Sequence, residues 1–367
     1  MEYRPRFTAI LLSFCSIIAV AQTTITAYTP GVSTEGAAYY LPKTAINITI
    51  TTEKTTYTPG ELCQYADRYL RINNISNKES ISYAITTASL NTEGLPDESK
   101  LYHIHFMPNS IAPLVTLTES GILKGINIAA TEGKEGTPSI LPAIVATKPL
   151  IPRSYMTEEM LMTGSKAKLA ELVAKEIYNI RESRNLIIRG QNEYMPQDAE
   201  SLQIILARLE EQETALTQLF VGTTTKEIQA ETYQVIPESS ANRVLLGRFS
   251  RKLGLLHGDD LAGTPIYIDI KSRQTVPTPA TTPVTNNATQ AKGKKGKEAN
   301  KQDGLVYNIP GKADIKVYTN TQILAEELLT LGQLGNTEIL SSTLLTKKKD
   351  IKVTLDPVTG ALLKVAE

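Results

Sequence analysis

The stretch AINITITTEKTTYTPG, residues 45–60, carries the clearest structural signal in the chain. Its three isoleucines, Ile46, Ile48 and Ile50, alternate with asparagine and threonine. Alternation with a period of two is typical of a strand with one buried face. The segment Thr58-Pro59-Gly60 then supplies turn chemistry. The stretch therefore predicts a half-buried β-strand that ends close to residue 58.

The sequence on either side extends this pattern, and residues 22–130 predict a β-rich N-terminal domain. Within it we predict a short helix in ELCQYADRYLRI (61–72), a turn at NTEGLPDESK (91–100) and a strand at LYHIHFMP (101–108). A hairpin is predicted in LVTLTESGILKGINIA (114–129), with Ser120-Gly121 as its turn. Residues 131–156 are rich in proline and glycine and predict a linker or an extended strap.

The pattern becomes helical between residues 157 and 222. Apolar side chains recur at steps of three and four in SKAKLAELVAKEIYNIRESRNLIIRG (165–190) and again in PQDAESLQIILARLEEQETALTQLFVG (196–222). Asp198 is a candidate N-cap, and Gly190 and Gly222 are candidate C-terminal glycines. These features predict an antiparallel α-helical hairpin whose apolar stripe must be covered, either by a partner protein or by the flanking sheets.

Strands return after residue 222 and predict a β-rich C-terminal domain, residues 223–367. Residues 274–304 are rich in proline, threonine and lysine and predict a disordered insertion. The chain ends in DIKVTLDPVTGALLKV (350–365), which predicts two strands around the turn Asp356–Gly360. The predicted fold class is α+β, with a β-rich N-terminal domain, a central antiparallel α-helical hairpin and a β-rich C-terminal domain.

The first residues predict export from the cytoplasm. MEYRPRFTAILLSFCSIIAVAQTT places Arg4 and Arg6 before an apolar run and small residues before Gln22, the pattern of a secretory signal peptide at residues 1–21. A competing interpretation takes Cys15 as the lipidation site of a lipoprotein. No later stretch is apolar over the roughly 18 to 20 residues that a membrane span needs. We therefore expect a periplasmic or outer-membrane-associated protein with no transmembrane span after signal cleavage.

Charge and cysteine content narrow the partners and cofactors. The 38 Lys and Arg residues balance the 38 Asp and Glu residues, which argues against nucleic acid as a partner. If Cys15 leaves with the signal, Cys63 is the only cysteine that remains, so an internal disulfide is impossible. The stretch AKGKKGKEANK (291–301) has the composition of a phosphate-binding loop but not its GxxxxGK[ST] order. No cofactor is predicted.

Two of the three histidines, His103 and His105, stand in YHIHF, residues 102–106. On a strand they would share one face, about 7 Å apart. Zinc needs a third and usually a fourth ligand, and only scattered carboxylates such as Asp97 and Glu98 are near in sequence. A polar strand face is the preferred interpretation. His103 and His105 remain the candidate metal ligands of an alternative, a metal-assisted hydrolase acting on a cell-wall or glycan substrate.

Other candidate chemistry has an equally simple structural interpretation. His257 stands beside Asp259 and Asp260 as in an acid/base cluster, but LHGDDLAG is also typical of a turn. Neither a GxSxG nor a papain-like motif occurs, and Cys63 falls in the predicted first helix, where a buried thiol is expected. A ligand-binding module is a further alternative, in which tyrosines line a pocket for glycan or peptide: Tyr39, Tyr40, Tyr65 and Tyr69.

Several segments together resemble a family of exported bacterial envelope proteins known only as a domain of unknown function. The resemblance rests on YYLPKTAINITITTEKTTYTPGELCQYADRYL, on TEEMLMTGSKAKLAELVAKEIYNIRESRNLIIRG with PQDAESLQIILARLEEQETALTQLF, and on GLVYNIPGKADIKVY and DPVTGALLKV. It implies a cell envelope of the bacteroidete type and supplies no catalytic residues. The leading hypothesis is a non-enzymatic protein that works by contact with envelope proteins of the periplasm or outer membrane.

Overall fold

The computed structural model describes residues 24–27, 36–105, 114–128, 150–191, 198–273, 304–341 and 351–366. The predicted signal peptide, Cys15, most of the linker and residues 274–303 of the predicted insertion lie outside these ranges. Within them, no helix combines the length and the apolar character needed to cross a bilayer.

The described chain is built mainly from strands. The strands are β1 (Thr24–Ala27), β2 (Gly36–Thr58), β3 (Ser80–His105), β4 (Val115–Leu117), β5 (Leu123–Ile126), β6 (Thr223–Val235), β7 (Ala241–Ser250), β8 (Gly254–Leu256), β9 (Thr264–Ser272), β10 (Gly304–Thr319), β11 (Ile323–Ser341), β12 (Lys352–Leu355) and β13 (Leu362–Ala366). The α-helices are α1 (Ala66–Leu70), α2 (Glu158–Met162), α3 (Lys166–Ile188) and α4 (Ala199–Val221), and short 3₁₀ turns occupy Cys63–Tyr65 and Pro152–Tyr155.

The strands form three antiparallel sheets. The first sheet has the order β1-β3-β2-β6, the second β11-β10-β9-β7-β8 and the third β13-β12-β5-β4. The first sheet therefore takes its last strand, β6, from beyond the helices. The third sheet joins β5 to β12, two segments more than 200 residues apart in the chain. Two of the three sheets thus combine strands from both sides of the domain boundaries drawn from the sequence, and a division at those boundaries stays a prediction.

Three apolar cores lie along the long strand β2. The alternating isoleucines of β2 pack against β9 and β10 and form a sandwich core between the first and second sheets. Earlier in β2, Tyr39 and Leu41 pack against the third sheet and the start of β10. Beyond the end of β2, Leu62 and Ala66 pack against α3 and α4 in a helical core. One strand and its continuation therefore connect all three cores.

The predicted α+β class with a central antiparallel α-helical hairpin between two β-rich domains is wrong. The fold is mostly β, with 53% strand arranged in three sheets. The helices do not form a unit that separates two β domains. Instead α1 and α2 pack with α3 and α4, and α4 leads directly into β6, which pairs with β2. Strands of the first sheet come both before and after the helical segment in the chain, so this segment is an insertion between strands of one sheet.

The turn predicted at residues 91–100 is also wrong, because β3 continues through this segment. Asn91 faces Asn47, and Pro96 faces Pro42, across the β2–β3 pair. The strand accommodates proline here at a register shift between Tyr40 and Pro42. Gly94 does not form a turn. It allows β3 and the Pro357 backbone to lie close together, because a side chain at this position would come within 2.1 Å of the Pro357 carbonyl oxygen.

A buried polar junction joins the first sheet to the second sheet and to the turn at residues 356–360. The Thr44 hydroxyl donates to the Val358 carbonyl oxygen at 2.9 Å and accepts from the Gly332 N–H at 3.0 Å. The Asn308 side-chain amide donates to the carbonyl oxygens of Pro42 at 3.1 Å and Thr359 at 2.9 Å. Because these groups are buried, their hydrogen bonds fix how the sheets meet.

Candidate interaction surface

The two long helices, α3 and α4, lie side by side and are joined by an ion-pair cluster in the last two turns of α3. The Glu213 carboxylate accepts from Arg181 Nε at 2.6 Å and lies 2.9 Å from Arg184 Nη1. Below this cluster the helices bury Ile177 of α3 and Leu216 of α4 in the helical core. This half of the helix pair is covered by the rest of the chain.

The other half of the helix pair presents aliphatic side chains to solvent. Four of them are more than one third exposed: Leu186 at 38%, Ile188 at 66%, Ile204 at 56% and Ile205 at 39%. From the ion-pair cluster, Ile188 lies about one turn further along α3, and Ile205 about two turns back along α4, so the helical rise places them within roughly 6 Å of each other along the helix axes. We call these four residues the apolar helix end.

Sequence periodicity did not mark this surface. The apolar stripe at steps of three and four includes Ile187, which the structure buries. Ile205 belongs to the stripe predicted for α4, whereas Leu186, Ile188 and Ile204 stand beside the stripes as apolar neighbours, in LII at 186–188 and in II at 204–205. Consecutive apolar residues extend the apolar side of a helix beyond the width of one buried face. This additional width is the sequence signal that indicates an exposed apolar surface.

A groove of about 220 Å³ opens beside the ion-pair cluster. It is lined by Arg181, Glu213, Thr217, Gln218 and Val221, among others. Arg181 and Glu213, the two charged residues of the lining, pair with each other, and Arg184 adds a second positive charge beside the same carboxylate. The groove is shallow and open to solvent, and it does not enclose a ligand as binding cavities generally do.

The candidate metal ligands lie on β3 near its end. His103 is buried, and its backbone faces Thr26 of β1 and Ala38 of β2. The side chain of His105 is outside what the structure describes. In the described ranges no group of three or more His, Cys, Asp or Glu side chains is close enough together to hold a metal ion. A metal site at His103 and His105 stays a prediction.

The four candidate pocket tyrosines are not brought together. Tyr39 is fully buried in the core below the third sheet, where its hydroxyl contacts the backbone of Val306. Burial raises the pKa of Tyr39. Tyr65 and Tyr69 instead pack on the helical core, with ring centroids 6.3 Å apart. Tyr39 thus packs in a different core from Tyr65 and Tyr69, and Tyr40 donates its backbone N–H to the Gly121 carbonyl oxygen at 2.9 Å.

The segment around His257 forms the predicted turn. The Asp260 N–H donates to the His257 carbonyl oxygen at 3.1 Å, which closes the turn between β8 and β9. His257 Nδ1 lies 3.2 Å from Asp259, and both side chains are almost fully exposed, at 87% and 95%. Water screens a pair as exposed as this, so the pair has neither the burial nor the fixed geometry of an acid/base centre.

Comparison with known proteins identifies the chain at the level of a family. No curated protein and no solved structure matches it. One family model does match, and it covers residues 35–363, which include most of the described residues. The chain therefore belongs to the family described as Domain of unknown function (DUF4831).

Proposed function

We propose that this protein is exported and acts without catalysis, by binding other proteins of the periplasm or outer membrane through the apolar helix end. The observation that supports the proposal is the exposure of Ile188 and Ile204, two large aliphatic side chains at the same end of the helix pair. Large exposed apolar patches commonly mark sites of contact with other proteins, and we propose that these side chains form such a patch.

The rest of the helix pair supports a docking role for this end. The ion-pair cluster at Glu213 joins the two helices to each other, and the helical core joins them to Leu62 and Ala66 beyond the end of β2. The apolar helix end is therefore presented on a rigid support, which lowers the entropic cost of binding. Aliphatic side chains of this size contribute roughly 1.5 to 3 kcal/mol each when fully buried by a partner.

Export is proposed from the signal-peptide pattern in residues 1–21. Cleavage after Ala21 would leave Gln22 as the first residue of the mature chain. Fractionation of the producing cell, with mass spectrometry of the N-terminal peptide, tests this directly. Recovery of an uncleaved chain in the cytoplasm would contradict the export part of the proposal.

The binding part is tested by photo-crosslinking in the intact cell envelope. A photo-reactive amino acid is introduced at Ile188 or Ile204, and in a matched control at Glu182, which is exposed on the same helix. We expect a reproducible set of crosslinked envelope proteins from the first two positions and none from Glu182. Equal crosslinking at all three positions, or none at Ile188 and Ile204, would overturn the assignment of this surface.

A substitution then tests whether the contact depends on apolar burial. Ile188→Lys should reduce recovery of the crosslinked partners at least tenfold, since a lysine at the centre of an apolar contact must lose its hydration. Glu182→Lys is the matched control and should leave recovery unchanged. Because Ile188 is already two thirds exposed, neither substitution should alter the melting temperature.

A further inference from the structure

The edge of the first sheet is a long and regular strand. All 13 residues of β6, TTTKEIQAETYQV, pair with β2 from Thr58↔Thr223 to Ile46↔Val235 without a register shift. On the other side of β6, no strand in the described part of the chain pairs with it. Residues 223–232 are all exposed. In an antiparallel strand every second residue then directs its backbone N–H and C=O groups toward the open side.

The features that usually protect an edge strand are weak here. Natural edges are commonly blocked by proline, by a bulge or by outward-pointing lysine. The strand β6 contains no proline and no bulge. Its one lysine, Lys226, pairs with Glu53 of β2 at 2.9 Å, and Glu227 pairs with Lys54 at 3.2 Å. The charges of the edge are thus turned back toward its own sheet.

We propose that β6 pairs with β6 of a second copy of this chain and forms a twofold-symmetric antiparallel dimer centred on Ile228. This inference does not depend on the proposed function. In such a dimer the residue on the twofold axis faces the same residue of the second copy. The open edges of both β6 strands are then paired in a single interface. Residues 223–233 of the two copies would pair along their length.

Charge excludes three centres near the middle of β6. Centring on Lys226 or on Glu227 would set each of these like charges against its own copy, and centring on Gln229 would set Glu227 against Glu231 of the second copy. Like charges directly opposite each other destabilise a strand pair. Centring on Ile228 or on Ala230 avoids all of these clashes, and only the centre on Ile228 also sets the exposed Ile228 side chain against its own copy.

The same centre also produces favourable pairs across the interface. Ile228, which is 38% exposed, would bury its side chain against its own copy. Glu227 would face Gln229, and Glu231 would face Thr225, so each carboxylate meets a hydrogen-bond donor. Cross-strand pairs of these kinds each contribute about 0.2 to 1 kcal/mol. The strand is therefore complementary to itself, which favours a second copy as the partner over an unrelated strand.

The register is tested by disulfide trapping. Ile228→Cys is made in a chain with Cys15→Ser and Cys63→Ser and is oxidised mildly. Facing residues in an antiparallel pair have Cα atoms about 4.5 to 5.5 Å apart, which lies within the range that a disulfide spans. Thr225→Cys is the matched control, because its own copy would lie about 20 Å away along the strand. We expect a covalent dimer from the first variant and a monomer from the second.

The oligomeric state provides the second measurement. Light scattering should give twice the chain mass for the natural protein and the single mass for Ile228→Glu, which would set two carboxylates against each other. Ile228→Thr should remain dimeric. A monomeric natural protein that shows no more crosslinking through Ile228→Cys than through Thr225→Cys would overturn the proposal. So would capture of a different protein by Ile228→Cys.

Discussion

Replacing Thr44 by valine should destabilise the protein strongly, although the two side chains have nearly the same shape. Thr44 is fully buried. Its hydroxyl contacts two backbone groups of other segments, the Val358 carbonyl oxygen at 2.9 Å and the Gly332 N–H at 3.0 Å. Valine leaves both groups buried and without this partner. Each unsatisfied group costs about 1 to 3 kcal/mol, so the free energy of unfolding should fall by about 2 to 6 kcal/mol.

Urea unfolding followed by circular dichroism measures this change. With a denaturant slope of about 3 kcal/mol per molar urea, the midpoint should fall by roughly 0.7 to 2 M. Thr49→Val is the matched control, on the same strand but on its solvent-facing side. The Thr49 hydroxyl contacts only the exposed Thr232 hydroxyl, at 2.9 Å, so the control should shift stability by less than about 0.5 kcal/mol. Equal midpoints for the two variants would refute the role given to the polar junction.

Four further predictions concern single residues or short motifs. Gly360→Ala should cost about 2 to 4 kcal/mol, because φ is +75° and the added carbon would lie 2.7 Å from the Asn308 amide nitrogen. Gly190→Ala, at φ +68° with open space around it, should cost only about 1 kcal/mol by thermal unfolding. Arg273 donates to the Asp314 carboxylate from Nε at 2.8 Å and from Nη2 at 2.6 Å, and these hydrogen bonds lower the pKa of Asp314. The pair therefore stabilises the fold at pH values above the ordinary aspartate pKa. This stabilisation is lost as the pH falls through the lowered pKa. Arg273→Gln should raise the pKa of Asp314 in an NMR titration. Protein purified without chelator should contain no stoichiometric zinc by elemental analysis, because YHIHF supplies only two of the ligands that zinc requires; zinc that chelators remove would support the metal-assisted alternative.

Local features of the fold were predictable from the sequence. The alternation of Ile46, Ile48 and Ile50 predicts a strand with one buried face, and the structure confirms it. The turn at Gly121 and the turn that ends at Gly360 are also confirmed, with φ of +81° and +75°. These predictions succeed because period and turn chemistry depend only on residues that are close together in the chain.

The architecture was not predictable in the same way, because it depends on which strands pair. Nothing in the local pattern of β6 indicates that it returns to β2 across the whole helical segment, and nothing in β12 indicates β5. Gly94 and Pro96 were interpreted as a turn because these residue types are common in turns. In the structure the absence of a side chain at Gly94 instead admits the turn at residues 356–360, a contact between segments that no local window contains.

The candidate surface shows the same division between local and distant information. The sequence shows which side chains of α3 and α4 are apolar. Their exposure depends on how far the elements of the helical core extend along the two helices. Ile187 is 7% exposed and its neighbour Ile188 is 66% exposed, although both lie beyond the ion-pair cluster. The side of the helix that a residue faces therefore decides its burial together with the extent of the covering elements.

The two proposed surfaces are mechanically connected, and this connection makes a joint prediction. The helix α4 passes into β6 through Gly222 alone, at φ +80°, where a side chain would come within 2.4 Å of the Thr58 carbonyl oxygen. In a dimer centred on Ile228 the two copies of Thr223 would be about 33 Å apart, at opposite ends of one continuous sheet. The C-terminal end of each α4 would then lie at its own end of the dimer, and we expect each copy to bind its own partner molecule. Light scattering of a saturated complex should therefore give two partners per dimer, and Ile228→Glu should give one partner per monomer with unchanged affinity at each helix end. A single partner per dimer would contradict two independent helix ends.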